Sequence, residues 1–279
     1  MKIIPFISAL LYSINAYPQQ INPGDLIFRI NMEPSEIDGI LEEGGRIPHV
    51  SIGYDKTLYI SLQDGWAGKP KNILYSINPE ERIVNWGFAI NDLKPTQNRI
   101  LATSVYNTKT VYLRSIDPSN TTKSIYAIDA KNGKLLWDFN ANEKFRGDKL
   151  RGDENQFSIY PPAIGYDGTV YFTEGHGNNL YALDSKTGKE KWVFKMNPVS
   201  EEFEERMEDY FINTSPVIDK NGILYFASAN QYFYAIDSTS GKKKWQYEFQ
   251  ITPQGTNIGH YGGRPHTPAI GKNNMVYLS

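Results

Sequence analysis

The segment that decides the fold runs Leu180-Tyr-Ala-Leu-Asp-Ser-Lys-Thr-Gly-Lys-Glu-Lys-Trp-Val-Phe194. Two further segments, residues 125–139 and 233–247, repeat its order of Tyr-Ala, Asp, Gly-Lys and Trp, and a more divergent copy spans residues 73–88. The copies recur with a period of roughly 50 residues, which is typical of propellers and related repeat proteins. This self-similarity predicts a protein built from one kind of structural unit.

Each unit contains the signals for four short strands, which we call A, B, C and D. In the third unit, strand A is Pro162-Ala-Ile, and Asp167-Gly168 forms a turn into a strand B that ends in Tyr-Phe172. Asp-Gly and Asn-Gly dipeptides tolerate the positive φ that tight hairpins require. Strand C is the Leu-Tyr-Ala-Leu stretch and strand D carries Trp-x-Phe. We therefore expect every unit to be a four-stranded antiparallel sheet.

The turn between strands C and D has a signature of its own. The Asp that ends strand C can accept backbone N–H groups in the turn, and the Gly four residues later supplies a left-handed position. We assign this structural role to Asp129, Asp184, Asp237, Gly133, Gly188 and Gly241.

Four-stranded units at this period form a β-propeller, because radial repetition leaves few open sheet edges. We predict an all-β propeller domain over residues 17–279. Within it we expect four complete blades, at about 48–90, 99–140, 160–197 and 214–249. A lone strand D at 24–31 precedes them, and a partial blade at 267–279 follows them. Four blades plus an incomplete fifth would leave unpaired edges, which natural sheets avoid. We therefore expect this sequence to be part of a longer propeller.

The first sixteen residues have the layout of a secretory signal peptide. Lys2 supplies a positive start, residues 3–14 form an apolar run, and the small residue Ala16 offers a cleavage site. The run is too short to span a bilayer as a helix, and no later stretch reaches about 18 apolar residues. We predict export to the periplasm, the cell surface or the medium; the alternative is a buried N-terminal strand.

Composition excludes several classes of function. The 29 Lys+Arg and 31 Asp+Glu leave a net charge of −2, which gives no basic footprint for nucleic acid or anionic lipid. Cysteine is absent, so the chain has no disulfide, thiolate metal site, covalent haem attachment or cysteine nucleophile. We also find no Gly-x-Ser-x-Gly, phosphate-loop or His-Glu-x-x-His motif.

One end of the predicted blades carries the long and variable connections, which span residues 32–47, 89–99, 140–159, 196–213 and 250–266. Binding residues concentrate on such loops when a rigid scaffold holds them. The candidate ligand- or partner-binding residues on this long-loop face are Trp66, His176, His260, Arg264 and His266. The spacing of the two last histidines is not a recognised zinc pattern, and we predict no metal site.

The repeated Tyr-Ala-Ile/Leu-Asp-x-x-x-Gly-Lys-x-x-Trp-x-Phe/Tyr pattern resembles the pyrroloquinoline-quinone-like (PQQ-like) propeller family. The resemblance implies seven or eight blades in full. It also implies that the repeat tryptophans dock neighbouring blades, and these are Trp86, Trp137, Trp192 and Trp245. A buried indole removes a large area from water and its N–H needs an acceptor, which agrees with that role.

The family holds two classes of protein, and the resemblance by itself leaves both open. One class comprises quinoprotein dehydrogenases that bind PQQ with Ca²⁺ and oxidise alcohols or sugars; the other comprises non-catalytic propellers such as BamB. The enzymes typically carry an adjacent Cys pair, which this chain lacks. We predict a non-catalytic, cofactor-free scaffold that binds a protein or polymer partner through its long-loop face, and the alternative is a PQQ-dependent dehydrogenase or a fragment of one.

Overall fold

The computed structural model describes residues 8–9, 30–31, 46–63, 73–81, 83–89, 99–106, 109–116, 125–141, 161–173, 179–197, 214–228, 232–248 and 267–278. Over these residues the chain forms twenty β-strands and no helix.

Sixteen of the strands make four sheets, and each sheet is an antiparallel meander in chain order. The first two sheets comprise β3 (Arg46–Ile52), β4 (Leu58–Gln63), β5 (Ile73–Asn78) and β6 (Ile83–Ala89), then β7 (Arg99–Tyr106), β8 (Thr110–Ile116), β9 (Ile125–Asp129) and β10 (Leu135–Phe139). The next two comprise β11 (Ala163–Ile164), β12 (Val170–Thr173), β13 (Asn179–Leu183) and β14 (Glu190–Lys195), then β15 (Val217–Ile218), β16 (Ile223–Ala227), β17 (Tyr232–Asp237) and β18 (Lys243–Glu248). These are the first to fourth blades, with strands A to D in order.

The blades stack because both faces of their inner strands are apolar. Along β13, Leu180 and Ala182 pack with residues of the fourth blade, whereas Tyr181 and Leu183 pack with residues of the second. Successive side chains of a strand point to opposite faces of the sheet, so one strand serves two interfaces. Apolar clusters therefore fill the space between consecutive blades rather than a single central core.

Hydroxyl groups tie the A strands of consecutive blades together. Ser51 Oγ donates to the carbonyl oxygen of Thr103 at 2.8 Å, and Ser104 Oγ donates to Pro162 O at 2.6 Å. Ser215 Oγ donates in the same way to Pro161 O at 2.5 Å. These three contacts bridge the first to second, second to third and third to fourth blades.

Two pairs of short strands complete the described chain. At the N-terminal side, β1 (Ser8–Ala9) pairs with β2 (Ile30–Asn31), so the described part of the predicted lone strand D has a partner. At the C-terminal side, β19 (Ala269–Ile270) pairs with β20 (Val276–Tyr277). Ile270, Val276 and Leu278 pack against the fourth blade, as strands A and B of a following blade would.

The prediction of an all-β propeller of four-stranded antiparallel blades is confirmed by these sheets. The total number of blades stays a prediction.

Candidate binding face and the contacts that hold it

Each docking contact between blades joins a Trp of one strand D to the C–D turn of the next blade. The Trp86 indole N–H donates to Ala130 O at 2.9 Å, that of Trp137 to Ser185 O at 2.9 Å, and that of Trp192 to Ser238 O at 3.1 Å. Each acceptor directly follows the Asp of the turn. Trp86, Trp137 and Trp192 therefore each contact the next blade through one hydrogen bond from the indole N–H.

The glycine of each turn makes room for the docked ring. A Cβ added at Gly133 would lie 2.7 Å from the Trp86 ring, and one at Gly188 would lie 2.5 Å from the Trp137 ring. Gly241 has the same relation to Trp192, and all three glycines have φ near +70°. Only glycine meets both demands, because any side chain would strain the left-handed backbone and clash with the indole.

The aspartates at the ends of the C strands accept backbone hydrogen bonds within the same turns. Asp129 Oδ1 accepts the backbone N–H groups of Lys131 and Asn132, and Asp184 Oδ1 accepts those of Lys186 and Thr187. The Thr187 hydroxyl also donates to Asp184 and lowers the pKa of its carboxyl. For Asp237, the Ser240 backbone N–H, the Ser240 hydroxyl and Lys244 lower the pKa to about 2.

Trp245 differs from the other repeat tryptophans. Its ring packs within its own blade, on Tyr225 at 5.9 Å and Phe233 at 5.8 Å between centroids. It remains 45% exposed, whereas Trp137 is 9% exposed. Among the described residues, no C–D turn covers Trp245, so the predicted docking contact of this residue is not made there.

The long connections all leave the blades at one end, which we call the mouth face. Neighbouring strands are antiparallel, so strands B and D end, and strands A and C begin, at the same end of every blade. The A–B and C–D connections lie at the opposite end, and the described ones are tight turns such as Gly165 to Thr169. A binding surface on variable loops therefore belongs to the mouth face.

A buried arginine supports this end of the second and third blades. Arg114 on β8 is 1% exposed, and its Nη2 donates to Thr173 O at 3.2 Å. Its guanidinium carbon lies 4.7 Å from the centroid of the Phe172 ring, which is a cation–π distance. The equivalent positions of the other blades carry small residues, which are Ser61, Thr173 and Ala227.

Further polar contacts join the described strand ends of the mouth face. Thr173 Oγ1 donates to Thr214 O at 3.0 Å, and Thr214 Oγ1 accepts from the Ala227 N–H at 2.9 Å. Tyr181 Oη donates to Ala141 O at 3.3 Å across the second and third blades. These hydrogen bonds stabilise the strand ends from which the long connections of the mouth face leave; we call these strand ends the platform.

The candidate binding residues Trp66, His176, His260, Arg264 and His266 lie outside the described residues. Sequence reasoning missed Arg114 as a supporting residue of this face. The sequence feature that could have identified Arg114 is its charged side chain at a strand B position where the other blades have small residues.

The remaining shifted pKa values belong to residues that build the blades. Burial raises the pKa of Tyr59 to about 12, and it also raises the pKa values of Tyr171 and Tyr225. At Asp167, burial opposes ionisation, but hydrogen bonds from Thr169 and Lys191 outweigh it and lower the pKa. Each of these three tyrosines packs beside a Trp of its own blade. Their raised pKa values therefore reflect packing within the blades.

The described residues offer few of the ligands that the Ca²⁺ of a PQQ site would need. Ca²⁺ takes several oxygen ligands, usually carboxylates. Within the described ranges no three His, Asp or Glu side chains come together, so these residues do not fit a calcium site.

Four-stranded meander blades that dock through a Trp on a glycine turn define a repeat-built β-propeller. The chain belongs to the family described as outer membrane protein assembly factor BamB, whose sequence profile matches residues 70–279. This finding also establishes the resemblance to the PQQ-like propellers.

Curated relatives are enzymes. Quinoprotein ethanol dehydrogenase of Pseudomonas aeruginosa is 28% identical over 139 residues, which cover 48% of this chain and 19% of that enzyme. The 1-butanol dehydrogenase (quinone) of Thauera butanivorans is 25% identical over 132 residues, which cover 46% of this chain and 18% of the enzyme. The chain thus spans less than a fifth of the length of these relatives.

Solved structures show the same fold at low identity. BamB from Moraxella catarrhalis aligns with a TM-score of 0.50 and 18% identity over 73% of this chain and 53% of that chain. Virginiamycin B lyase from Staphylococcus aureus aligns with a TM-score of 0.54 and 13% identity over 90% of this chain and 73% of that chain. In the part of the chain that the structure describes, no helix is long and apolar enough to cross a membrane.

Proposed function

We propose that this protein is an exported, non-catalytic binding module that holds a protein or polymer partner on its mouth face. The observation that carries the proposal is the division of the blades into two unlike ends. Long connections gather at the mouth face, and the described connections of the opposite end are tight hydrogen-bonded turns.

Rigidity of the platform supports a binding role. Ser104 and Ser215 tie strand A of their blades to the third blade, and Arg114 spans the second and third blades. A scaffold held in this way loses little conformational entropy when its loops engage a partner. The predicted residues Trp66 and Arg264 suit such contacts, because Trp and Arg dominate the energetics of many interfaces.

The family supports a protein as the partner, since its description is that of an outer membrane protein assembly factor. The same relationship agrees with export, which we infer from the signal-peptide layout of residues 1–16. The partner class is therefore protein, with a polymer as the second option.

Site-specific photo-crosslinking tests the proposal in the envelope of the source cells. A photoreactive residue replaces Trp66 or His266 in one set of variants, and Lys186 or Lys220 in a matched set at the opposite end of the blades. We expect one discrete adduct from the first set and none from the second. Adducts from the opposite end alone, or equal adducts from both, would contradict a partner on the mouth face.

The enzymatic alternative rests on the dehydrogenase relatives. Purified protein is mixed with PQQ and Ca²⁺, and dye-linked oxidation of ethanol, 1-butanol and glucose is measured. We expect no turnover above the rate with PQQ and Ca²⁺ alone. Turnover that requires the protein would replace the binding-module proposal by a quinoprotein dehydrogenase.

A further inference from the structure

The end of the blades opposite the mouth face, which we call the turn face, is held together by hydrogen bonds between its turns. Within the second blade the Ala130 N–H donates to Lys109 O, and within the fourth blade the Ser238 N–H donates to Gly222 O. Neighbouring blades join at the same end, because the Tyr171 hydroxyl of the third blade donates to Ser238 O at 3.1 Å. Turns of separate blades therefore contribute to one continuous surface.

Lysine side chains collect on the turn face of the second to fourth blades. Of the eleven lysines described in these blades, ten lie in the turns or on the adjoining residues of strand D, and all ten are exposed. Six carboxylates share this end, which leaves an excess of four positive charges. The net charge of the whole chain, −2, does not reveal this excess, because it averages the turn face with acidic stretches such as residues 198–213.

Most of these lysines have no carboxylate of the described chain within ion-pair distance. Lys191 lies 3.1 Å from Asp167, and Lys244 lies 3.3 Å from Asp237. The lysines that make no ion pair with a described residue are Lys131, Lys134, Lys186, Lys189, Lys220 and Lys242. Their ammonium groups face solvent and are accessible to an anionic partner.

The type of cation indicates the shape of that partner. The described turns of the second to fourth blades contain lysine and no arginine. Arginine binds single phosphate or carboxylate groups in a fixed bidentate geometry, whereas lysine is a point charge on a flexible stem. Lysines spread over three blades therefore favour attraction to an extended anionic surface over capture of one small anion.

Exposed tyrosines protrude from the same end of the blades. Tyr166, in the A–B turn of the third blade, is 75% exposed, and Tyr54, in the same turn of the first blade, is 83% exposed. Tyrosine rings prefer the headgroup level of a bilayer, because they are apolar with one polar end. Basic residues combined with exposed rings are the means by which peripheral proteins bind anionic membranes.

We infer that the turn face of the second to fourth blades is a docking surface for an anionic phospholipid bilayer. The lysines provide attraction to the anionic headgroups, and the Tyr166 ring inserts among them. The mouth face then points away from the bilayer, because the two faces are opposite ends of the same blades. This inference concerns a different surface from the mouth face and does not depend on the partner proposed there.

Co-sedimentation with vesicles tests the inference. The full chain is mixed with vesicles of phosphatidylcholine alone, or of an equal mixture with phosphatidylglycerol, at about 0.1 M salt, where the Debye length is about 10 Å. We expect binding to the mixed vesicles only. That binding should be lost at about 1 M salt, where the Debye length falls to about 3 Å.

The double variant Lys186→Gln/Lys220→Gln should lower the affinity for the mixed vesicles about tenfold, because each lysine close to an anionic surface contributes to binding. The matched control is Lys149→Gln/Lys195→Gln, which removes the same charge. Lys195 ends β14 on the mouth face, and Lys149 belongs by sequence to the connection 140–159. We expect the control to lower affinity far less. The apolar run of residues 3–14 is common to both variants, so its own contribution cancels in the comparison.

Tyr166→Ser tests insertion of the ring and should weaken binding to the mixed vesicles by a smaller factor. Lys186, Lys220 and Tyr166 are exposed, so these variants should keep the Tm of the parent protein. An affinity unchanged by Tyr166→Ser would contradict insertion of this side chain.

Four results would overturn the docking surface as a whole. The first is equal binding to vesicles of phosphatidylcholine alone, and the second is an equal loss of affinity in the two lysine variants. The third is absence of binding at about 1 mM mixed lipid, at which a partition coefficient of about 10⁴ M⁻¹ would bind most of the protein. The fourth is binding to heparin without binding to vesicles, which would show that a soluble polyanion is the partner.

Discussion

At Gly188 a single methyl group would enter space that the Trp137 ring already fills, 2.5 Å from its nearest atom. The backbone there has φ of +68°. Gly222 offers a comparison at the same scale, because its φ is +76° but its nearest contact is the Ser238 hydroxyl oxygen at 3.1 Å. Comparing substitutions at these two glycines therefore distinguishes the effect of backbone strain from the effect of a clash with the Trp137 ring.

We predict that Gly188→Ala lowers the free energy of unfolding more than Gly222→Ala does. Both substitutions introduce left-handed strain of about 1–2 kcal/mol, and only the first adds overpacking, typically about 1–3 kcal/mol. Urea denaturation of both variants measures the difference. Equal losses would show that the Trp137 contact contributes nothing beyond the turn conformation.

Asp237 makes stability depend on pH. Its pKa in the folded protein is lowered from 3.8 to about 2, first by the Ser240 backbone N–H and then by the Ser240 hydroxyl. A carboxyl with a lowered folded-state pKa stabilises the fold fully above its unfolded-state pKa. That contribution is lost as the pH falls from about 4 through about 2.

We predict that Asp237→Asn reduces the loss of unfolding free energy between pH 5 and pH 2 that the parent protein shows. Ser240→Ala should reduce the same slope by a smaller amount, because it removes one of the donors that hold the ionised form. Thr239→Ala, in the same turn, is the control. A slope unchanged by Asp237→Asn would contradict the assignment.

At the scale of elements, the position of a Trp along the row of blades determines its contribution to stability. Trp137 of β10 contacts the next blade and is 9% exposed, whereas Trp245 of β18 is 45% exposed. We predict that Trp137→Ala costs about 3–5 kcal/mol, as for other buried aromatic truncations. Trp245→Ala should cost clearly less. Thermal denaturation compares the two variants, and an equal shift in Tm would refute this account of docking.

Arg114 couples β8 to β12 through the Phe172 ring. A double-mutant cycle with Arg114→Met and Phe172→Leu isolates that contact from the packing of either side chain alone. We predict a favourable coupling free energy of about 0.5–2 kcal/mol, the range of cation–π pairs. Additive losses in denaturant titrations would mean that the two side chains act independently.

At the scale of the whole molecule, the signal-peptide layout of residues 1–16 predicts that the protein is exported. We predict that the protein recovered from the exported fraction begins at Tyr17, after cleavage behind Ala16. Intact-mass measurement and N-terminal sequencing check this result. Replacing Ala16 with Arg should retain the segment, because signal peptidase sites need small residues. An exported protein that starts at Met1 would contradict the prediction.

The repeat predicted much of the architecture. The positions of Asp184, Gly188 and Trp192 within one copy are local sequence features, so the turn and the four strands follow from them. Docking of Trp137 on the next blade followed from the resemblance to the PQQ-like propellers. The exposure of Trp245 did not follow, because it depends on which chain segment lies opposite and not on the residue itself.

The candidate binding residues Trp66, His176, His260, Arg264 and His266 stay predictions, since they lie outside the described residues. The sequence gives the chemical type of each of these side chains. It does not give their relative positions, because a binding site brings together residues from separate loops. For Arg114 the sequence shows only an unusual charged residue in a strand. Its contact with the Phe172 ring is visible only in the structure.

What the sequence by itself determined is therefore the unit: four strands, two kinds of turn and a docking Trp, all encoded within about 50 residues of one another. What only the tertiary structure decided is how the units meet. In the folded chain, Arg114 packs on the Phe172 ring. Serine hydroxyls join strand A of consecutive blades, and Trp245 remains exposed. The physical reason is that turn and strand preferences arise from neighbours along the chain, whereas burial and ring contacts arise from residues that only folding brings together.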